Sequence, residues 1–195
     1  MRSQIYITCL PRSGSTLLRN MLSRHPMVVA HPEFIPGTWK RFKKKDISGK
    51  IALYKEAIIS RWNKIPDNPV LIRRNAYDVL ASYVETDTVY NFDKFAPRYL
   101  KTKIKNPITV WYEDLVRQPE TILRELCKRL GIDFYSEMLE PRGVNGDKEH
   151  YSGMQASKPI FTDSIGHWHV VRANGFKPTK KQLKLCERIN ANHRI

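Results

Sequence analysis

Short hydrophobic runs alternate with segments of helical periodicity along most of the chain. The runs that predict buried strands lie at residues 5–10, 27–30, 70–73 and 108–112. After the first run, apolar positions recur at helical spacing over residues 17–22, which predicts an amphipathic helix. Strands that alternate with helices favour an α/β fold in which helices flank a central parallel sheet.

Two later helices carry boundary signals. Pro119 fits the first position of a helix, and Gly131 fits the left-handed position that ends one. Thr179 and Gln182 have the spacing of a capping box, which predicts that a last helix begins there.

Two segments between these elements have mixed patterns. The apolar spacing from Ile51 to Trp62 predicts a helix. Residues 86–105 are rich in aromatic side chains without a clear period, which predicts an irregular segment.

A turn of small residues follows the first predicted strand directly. It consists of Pro11, Arg12, Ser13, Gly14, Ser15 and Thr16. A strand, a tight turn and a helix in that order direct free backbone N–H groups and the helix dipole at one point. Arg12 adds a positive charge, and the hydroxyl groups add hydrogen-bond donors. The turn is therefore a candidate site for a phosphate-like group, and a tight turn without a ligand is the alternative.

The turn lacks the fingerprint of a P-loop NTPase. That fingerprint is G-x-x-x-x-G-K-[ST], whereas this chain has no lysine before Ser15 or Thr16 and no glycine at the first position. A P-loop kinase, which would require magnesium and ATP, is therefore a weaker alternative.

A second motif begins where the run at residues 70–73 ends. Asn75 is a candidate N-cap, and Asp78 falls in the first helical turn, where a carboxylate complements the helix dipole. Arg74 precedes this helix and Ser82 lies on it, so a forked guanidinium and a hydroxyl are available to one anion. These donors suit a terminal phosphate dianion.

The two motifs resemble those of sulfotransferases that use 3′-phosphoadenosine 5′-phosphosulfate (PAPS). Residues 11–17 match the phosphosulfate loop P-R-[ST]-G-[ST]-[ST]-L of the tyrosylprotein, carbohydrate and bacterial branches. Residues 74–82 match the 3′-phosphate motif R-[ND]-[PA]-x-D-x-x-x-S. The resemblance implies a single-domain, three-layer P-loop-like fold over residues 1–195. It also implies transfer of a sulfuryl group from PAPS to a hydroxyl acceptor without a metal, leaving 3′-phosphoadenosine 5′-phosphate (PAP).

The resemblance implies roles for individual residues. Arg12 would polarise the transferring sulfuryl group while the backbone of residues 13–16 holds the 5′-phosphate. Arg74 and Ser82 would hold the 3′-phosphate. Tyr112, in a segment similar to the family's Y-E-D-L sequence, would lie near the adenine, and a core aromatic residue at a strand end is the alternative.

A late segment resembles the family's S-x-G-x-W loop, which closes over the 3′-phosphate. In this chain it contains Ser164, Gly166 and Trp168. His167 departs from the arginine or lysine that many relatives carry, which weakens this part of the resemblance.

Glu33 is the candidate catalytic base. It follows the predicted strand at residues 27–30, so it leaves the sheet on the same side as the phosphosulfate loop. In tyrosylprotein sulfotransferases and several relatives, a glutamate shortly after this strand is the base. His31 is the second candidate, and an exposed loop carboxylate is the structural alternative for Glu33.

The chain is strongly basic, with a formal net charge of +15. Much of the excess lies at residues 40–50 and 177–194. Anionic partners are therefore expected, which favours an anionic glycan or peptide as acceptor. A solvated, lysine-rich loop is the simpler alternative explanation of the charge. A non-catalytic nucleotide- or nucleic-acid-binding protein on the same fold is the alternative from a different class. Neither basic cluster has interleaved aromatic residues that could stack on bases, which counts against nucleic acid.

The remaining composition is consistent with a single domain. A length of 195 residues can bury a sizeable core, and no apolar run is long enough to span a membrane. The first strand begins within a few residues of Met1, so we expect no signal peptide. The cysteines Cys9, Cys127 and Cys186 lack metal-ligand spacing and predict reduced core thiols in a cytoplasmic protein. The acceptor stays open among carbohydrate, small molecule and tyrosine.

Overall fold

Five parallel strands form a sheet at the centre of the protein. The computed structural model describes residues 4–31, 49–56, 68–85, 91–141, 160 and 162–192. The strands are β1 (Gln4–Cys9), β2 (Val28–Ala30), β3 (Ile51–Glu56), β4 (Val70–Arg73) and β5 (Ile108–Trp111). Their order across the sheet is β2-β3-β1-β4-β5, and every neighbouring pair is parallel. The predicted parallel α/β sheet is confirmed.

Strand β1 is the central strand of the sheet, between β3 and β4, which both come later in the chain. Ile5 pairs with Leu53 of β3, and Ile7 pairs with Val70 of β4. Ile5 and Ile7 are fully buried, as expected for a parallel strand that helices cover. The turn that follows β1 therefore emerges in the middle of the sheet's carboxyl edge.

Helices cover the sheet and form two apolar clusters. The helices are α1 (Ser15–Leu22), α2 (Ala76–Glu85), α3 (Phe92–Lys101), α4 (Tyr112–Arg117), α5 (Pro119–Leu130), α6 (His167–Ala173) and α7 (Lys180–Asn192), with a short 3₁₀ helix at Ser136–Leu139. One cluster joins α1, α4 and α5 to the strands, and the other joins α2, α3, α6 and α7. The predicted layered architecture is thereby confirmed.

The predicted helix boundaries are also confirmed. Pro119 begins α5, and Gly131 ends it with a φ of 72°, a left-handed conformation that glycine adopts without steric cost. At the start of α7, the Thr179 backbone N–H donates to Gln182 Oε1 at 2.9 Å, and the Gln182 N–H donates to Thr179 Oγ1 at 3.2 Å. This reciprocal pair is a capping box.

The helix predicted from Ile51 to Trp62 is wrong over its first part. Residues Ile51–Glu56 form β3, which pairs with both β1 and β2. Hydrogen bonds to two strands distant in sequence decide this conformation, and the local apolar spacing does not reveal them. Residues 57–67 lie outside the described part of the chain.

The irregular segment predicted at residues 86–105 contains a helix. Helix α3 spans Phe92–Lys101, and Asn91 caps it because its Oδ1 accepts the Lys94 N–H at 3.1 Å. Phe92 and Ala96 form its buried face. Pro97 lies inside this helix, and a proline at that position hides the helical pattern.

All three cysteines are buried, as predicted, and none of them forms a disulfide with another described residue. Burial raises the pKa of Cys127 to about 11 and that of Cys186 to about 12. Among the described residues, none of the helices has the length and apolar character that crossing a bilayer requires. The cellular location stays a prediction.

The buried side chain of His25 makes the stability of the protein depend on pH. Its Nδ1 accepts the Met27 backbone N–H at 3.0 Å, and its ring meets the Tyr135 ring edge-on. Burial lowers the pKa of His25 below its ordinary 6.5. The unfolded chain therefore binds this proton more readily than the folded protein.

We expect the free energy of unfolding to be independent of His25 above its unfolded pKa and to fall as the pH drops below it. Urea unfolding between about pH 7.5 and pH 5 measures this slope. His25→Asn retains an acceptor for the Met27 N–H and should flatten the slope. His169→Asn, at an exposed histidine, should not. Equal slopes in all three proteins would contradict the assignment.

Candidate functional site

The turn after β1 brings the start of α1 to the carboxyl edge of the sheet. Arg12 and Gly14 adopt positive φ angles of 74° and 94°, and the Ser13 N–H donates to the Leu10 carbonyl at 3.2 Å. Gly14 is the N-cap of α1 and supplies no side-chain acceptor to the first N–H groups of the helix. These donors and the helix dipole favour an anion at this point.

Tyr112 packs directly against this turn. A methyl group added to Gly14 would lie 2.7 Å from Tyr112 Cε2 and closer still to Cδ2. Only glycine therefore fits, both for its backbone conformation and for the space that the Tyr112 ring leaves. The side chain of Tyr112 is 6% exposed.

Lys55 adds a buried cation to the turn, and sequence reasoning missed it. This residue lies in β3, is 4% exposed, and donates from Nζ to Thr16 Oγ1 at 2.7 Å. The signal in the sequence was a lysine at the end of an apolar run. It was not recognised because the run was interpreted as a helix.

Arg74 lies in the same network and bridges two chain segments. Its Nη1 donates to the Arg12 carbonyl at 3.1 Å, and its Nη2 donates to the Ser164 carbonyl at 2.7 Å. Its Cζ lies 4.5 Å from the centre of the Tyr112 ring, in cation–π geometry. The residue is 7% exposed, and its buried Nε meets no acceptor within the described ranges.

Side chains at the start of α2 make hydrogen bonds both to the helix backbone and to the late loop. Asn75 Oδ1 accepts the Tyr77 N–H at 2.9 Å, as predicted for a capping residue. Asp78 has a further function that the sequence did not indicate. Its two carboxylate oxygens accept the Gly166 N–H at 2.9 Å and the Trp168 N–H at 3.0 Å. The late loop is thereby fixed to α2.

Arg12 connects the turn with α2. Its Nε donates to Ser82 Oγ at 3.0 Å, so the candidate 5′ and 3′ phosphate segments touch. The hydroxyl groups of Ser164 and Tyr112 are hydrogen-bonded at 2.7 Å. His167 Nε2 lies 2.6 Å from Glu85 Oε1, at the end of α2.

The structure brings most of the predicted site residues together. Arg12, Arg74, Ser82, Tyr112 and Ser164 form one connected network, residues 13–16 form the turn and the start of α1, and Gly166 joins through Asp78. Their roles in binding and catalysis stay predictions.

The described part of the chain contains only one of the two candidate bases. Glu33 lies outside the described residues. His31 follows β2 and is 4% exposed, with its ring stacked on that of Tyr54 at 4.6 Å between centres. Which of them acts as base stays a prediction.

Helix α7 carries a part of the basic excess. Its exposed face carries Lys180, Lys181, Lys184 and Arg188, with Glu187 at its border. Most of residues 40–50 lie outside the described part of the chain.

The close approach of Gly14 to Tyr112 can be measured as stability. Gly175 has a similar φ of 96° and no atom within 4 Å of an added methyl group. Gly175→Ala should therefore lower the free energy of unfolding by about 1–2 kcal/mol for the left-handed conformation alone. Gly14→Ala should cost about 1–3 kcal/mol more, because the methyl group also displaces the Tyr112 ring.

Denaturant unfolding of the two variants measures this difference directly. Equal losses would show that the Tyr112 ring does not constrain residue 14.

Comparisons with known proteins are consistent with this geometry. A family model described as the sulfotransferase family matches residues 4–69. No curated protein matches the sequence. The sulfotransferase domain from the curacin biosynthetic pathway is a structural neighbour at 16% identity, with a TM-score of 0.61 over 97% of this chain and 98% of that chain.

Two further solved structures share the fold over most of their length. The sulfotransferase domain from the Synechococcus PCC 7002 olefin synthase is 19% identical, with a TM-score of 0.64 over 95% of this chain and 94% of that one. Mouse sulfotransferase SULT7A1, solved in complex with PAP, is 16% identical, with a TM-score of 0.60 over 99% and 85%. At such identities the structural likeness shows the fold. The match over residues 4–69 shows that this part of the chain is similar to the sulfotransferase family, and the solved structures show that the chain shares the fold of sulfotransferases.

Proposed function

We propose that the protein, as one domain over residues 1–195, transfers a sulfuryl group from PAPS to a hydroxyl group of its acceptor. One observation carries this proposal: three cationic residues converge on the turn between β1 and α1. Lys55 donates to Thr16 Oγ1, Arg74 donates to the Arg12 carbonyl, and the Arg12 side chain extends from the turn to Ser82. PAPS carries anionic groups at both the 5′ and 3′ positions. A cluster of three cations with two hydroxyl-bearing segments fits a ligand with two such groups.

The unsatisfied donors of the site support the fit. Arg74 Nε is buried without an acceptor among the described residues, and the first N–H groups of α1 have no side-chain cap. Buried donors of this kind are costly unless an acceptor reaches them. A bound phosphate group supplies such acceptors.

The proposed 5′ subsite consists of the turn and Lys55. The backbone of residues 13–16 binds the 5′-phosphate, and Lys55, already at Thr16 Oγ1, neutralises its charge. Arg12 lies in the same turn and stabilises negative charge on the bridging oxygen. PAPS supplies a sulfuryl group on a good phosphate leaving group. Preorganised cations lower the barrier most when they face the atoms on which charge develops.

The proposed 3′ subsite lies between α2 and the late loop. Arg74 and Ser82 bind the 3′-phosphate, and the loop that contains Ser164 and Gly166 covers it. Asp78 fixes that loop through two backbone hydrogen bonds, so little ordering of the loop is needed on binding.

Glu33 is the proposed base. It accepts the proton of the acceptor hydroxyl as the new O–S bond forms and the bond from sulfur to the phosphate oxygen breaks. In-line placement of the two oxygens then controls the rate. A hydroxyl on a carbohydrate, a small molecule or a tyrosine satisfies this chemistry, and the basic surface favours an anionic glycan or peptide.

Each of the two alternative functions is favoured by one specific observation. Lys55 extends from β3 and donates to Thr16, so a lysine contacts the turn although the sequence of the turn contains none. This favours an ATP-dependent kinase more than the sequence does. The exposed basic face of α7 favours a nucleic-acid-binding protein that retains the fold, whose binding would weaken steeply with salt.

Titration calorimetry with PAP, ATP and a short oligonucleotide tests the proposal. We expect PAP to bind at least about tenfold more tightly than ATP without magnesium. Lys55→Met should weaken PAP binding by roughly 10- to 150-fold, because a charge-assisted hydrogen bond contributes about 1.5–3 kcal/mol. Lys50→Met removes an exposed lysine next to the same strand and is the matched control.

The outcomes separate the three candidate functions. Preference for ATP with magnesium would favour a kinase, and salt-sensitive oligonucleotide binding without PAP binding would favour the nucleic-acid alternative. Either result would overturn the proposal.

The role of Glu33 has its own test. Glu33→Gln should lower the rate of sulfuryl transfer by about 10²- to 10⁴-fold, the usual contribution of a general base. PAP affinity should stay unchanged. Labelled PAPS, with an acceptor found by screening phenols, sugars and tyrosine peptides, measures the rate. His31→Gln is the matched comparison, and a larger loss in that variant would transfer the role to His31.

A further inference from the structure

Tyr112 is the point at which the two proposed phosphate subsites meet. The ring edge lies against Gly14 of the turn, and the guanidinium of Arg74 lies over the ring. The turn belongs to the 5′ subsite and Arg74 to the 3′ subsite. A change in the position of this ring therefore affects both subsites.

The hydroxyl of Tyr112 connects the ring to a third segment. It is hydrogen-bonded to Ser164 Oγ at 2.7 Å. The carbonyl of the same serine accepts from Arg74 Nη2 at 2.7 Å. Tyr112, Arg74 and Ser164 thus form a closed set of contacts, in which each residue holds the other two.

The residue after Tyr112 strengthens this arrangement. Glu113 Oε1 accepts the backbone N–H of Asn75 at 2.8 Å, directly after Arg74 and at the start of α2. Two consecutive residues at the start of α4, directly after β5, therefore contact the turn, Arg74, the start of α2 and the late loop.

We infer that Tyr112 is a positioning residue, which couples the 5′ and 3′ phosphate subsites by holding Gly14, Arg74 and Ser164 in place. The inference rests on the proposed function, because it assumes that both subsites bind phosphates of one nucleotide. It differs from the role that the family resemblance implies. An adenine contact needs accessible ring surface, whereas Tyr112 is 6% exposed and its ring already meets Gly14 and Arg74.

The two roles make opposite predictions for a pair of ligands. PAP carries both phosphates, whereas AMP carries only the 5′-phosphate, so the ratio of their dissociation constants reports the contribution of the 3′-phosphate. An adenine contact acts on both ligands equally and leaves this ratio unchanged in Tyr112→Leu. A positioning residue for Arg74 acts on the 3′-phosphate most, so the ratio should fall by about tenfold or more.

Calorimetric titration of wild type and Tyr112→Leu with PAP and AMP measures the ratio. Tyr135→Leu, which removes a more exposed tyrosine beside His25, is the matched control and should leave the ratio unchanged. A loss of thermal stability alone does not change the ratio, so the readout separates positioning from a merely structural role.

A double-mutant cycle keeps the inference testable if Tyr112→Leu does not fold. Tyr112→Phe retains the ring and removes only the hydroxyl, and Ser164→Ala removes its partner. Each should weaken PAP binding by about two- to tenfold, and the double variant should be no weaker than the worse single variant.

The outcomes distinguish the inference from the function on which it rests. Wild type that does not bind PAP overturns the proposed function, and the inference with it. Wild type that binds PAP, with an unchanged ratio in Tyr112→Leu or additive effects in the cycle, overturns only the inference. A reduced ratio and non-additive effects support both.

Discussion

The parallel direction of the strands is the constraint on which the candidate site depends. In a parallel sheet all carboxyl ends lie at one edge, where ligands gather in such folds. Lys55 lies at the end of β3, Arg74 follows β4 and Tyr112 follows β5. Three residues from distant parts of the chain therefore meet the turn after β1. The pairing of the strands, more than the conformation of any single loop, therefore brings these residues together.

Local signals predicted the parts of this site that depend on neighbours in sequence. The turn from Arg12 to Thr16, the cap at Asn75 and the boundaries of α5 all have short-range causes, and each was predicted. Strand β3 was not, because its conformation depends on pairing with β1 and β2, and its buried polar residue Lys55 breaks the apolar pattern. The contacts of Arg74 were also inaccessible to sequence reasoning. They join residues 62 and 90 positions away through backbone carbonyls, which carry no sequence signal.

The comparisons with known proteins and the hydrogen bonds in the structure provide evidence on different parts of the molecule. The family match covers residues 4–69, which include the turn and Lys55 but end before Arg74. The structural likeness extends over nearly the whole chain, yet at 16–19% identity it concerns the path of the backbone. The proposed 3′ subsite therefore depends on two physical contacts, the one between Arg74 and Ser164 and the one between Arg12 and Ser82. Asp78 adds to these contacts, because its carboxylate accepts the backbone N–H groups of Gly166 and Trp168 and so holds the late loop against α2.

The backbone conformation of Arg12 has a consequence for the stability of the protein. Its φ of 74° lies in a region that costs a residue with a side chain about 1–2 kcal/mol. Glycine at this position would relieve that strain and so favour folding, but it would delete the guanidinium that reaches Ser82. Selection for thermal stability alone would therefore tend to replace this arginine. Under the proposed function, its presence is a trade-off of the kind found where function maintains a strained residue, and stabilised variants for structural work are better sought away from this turn.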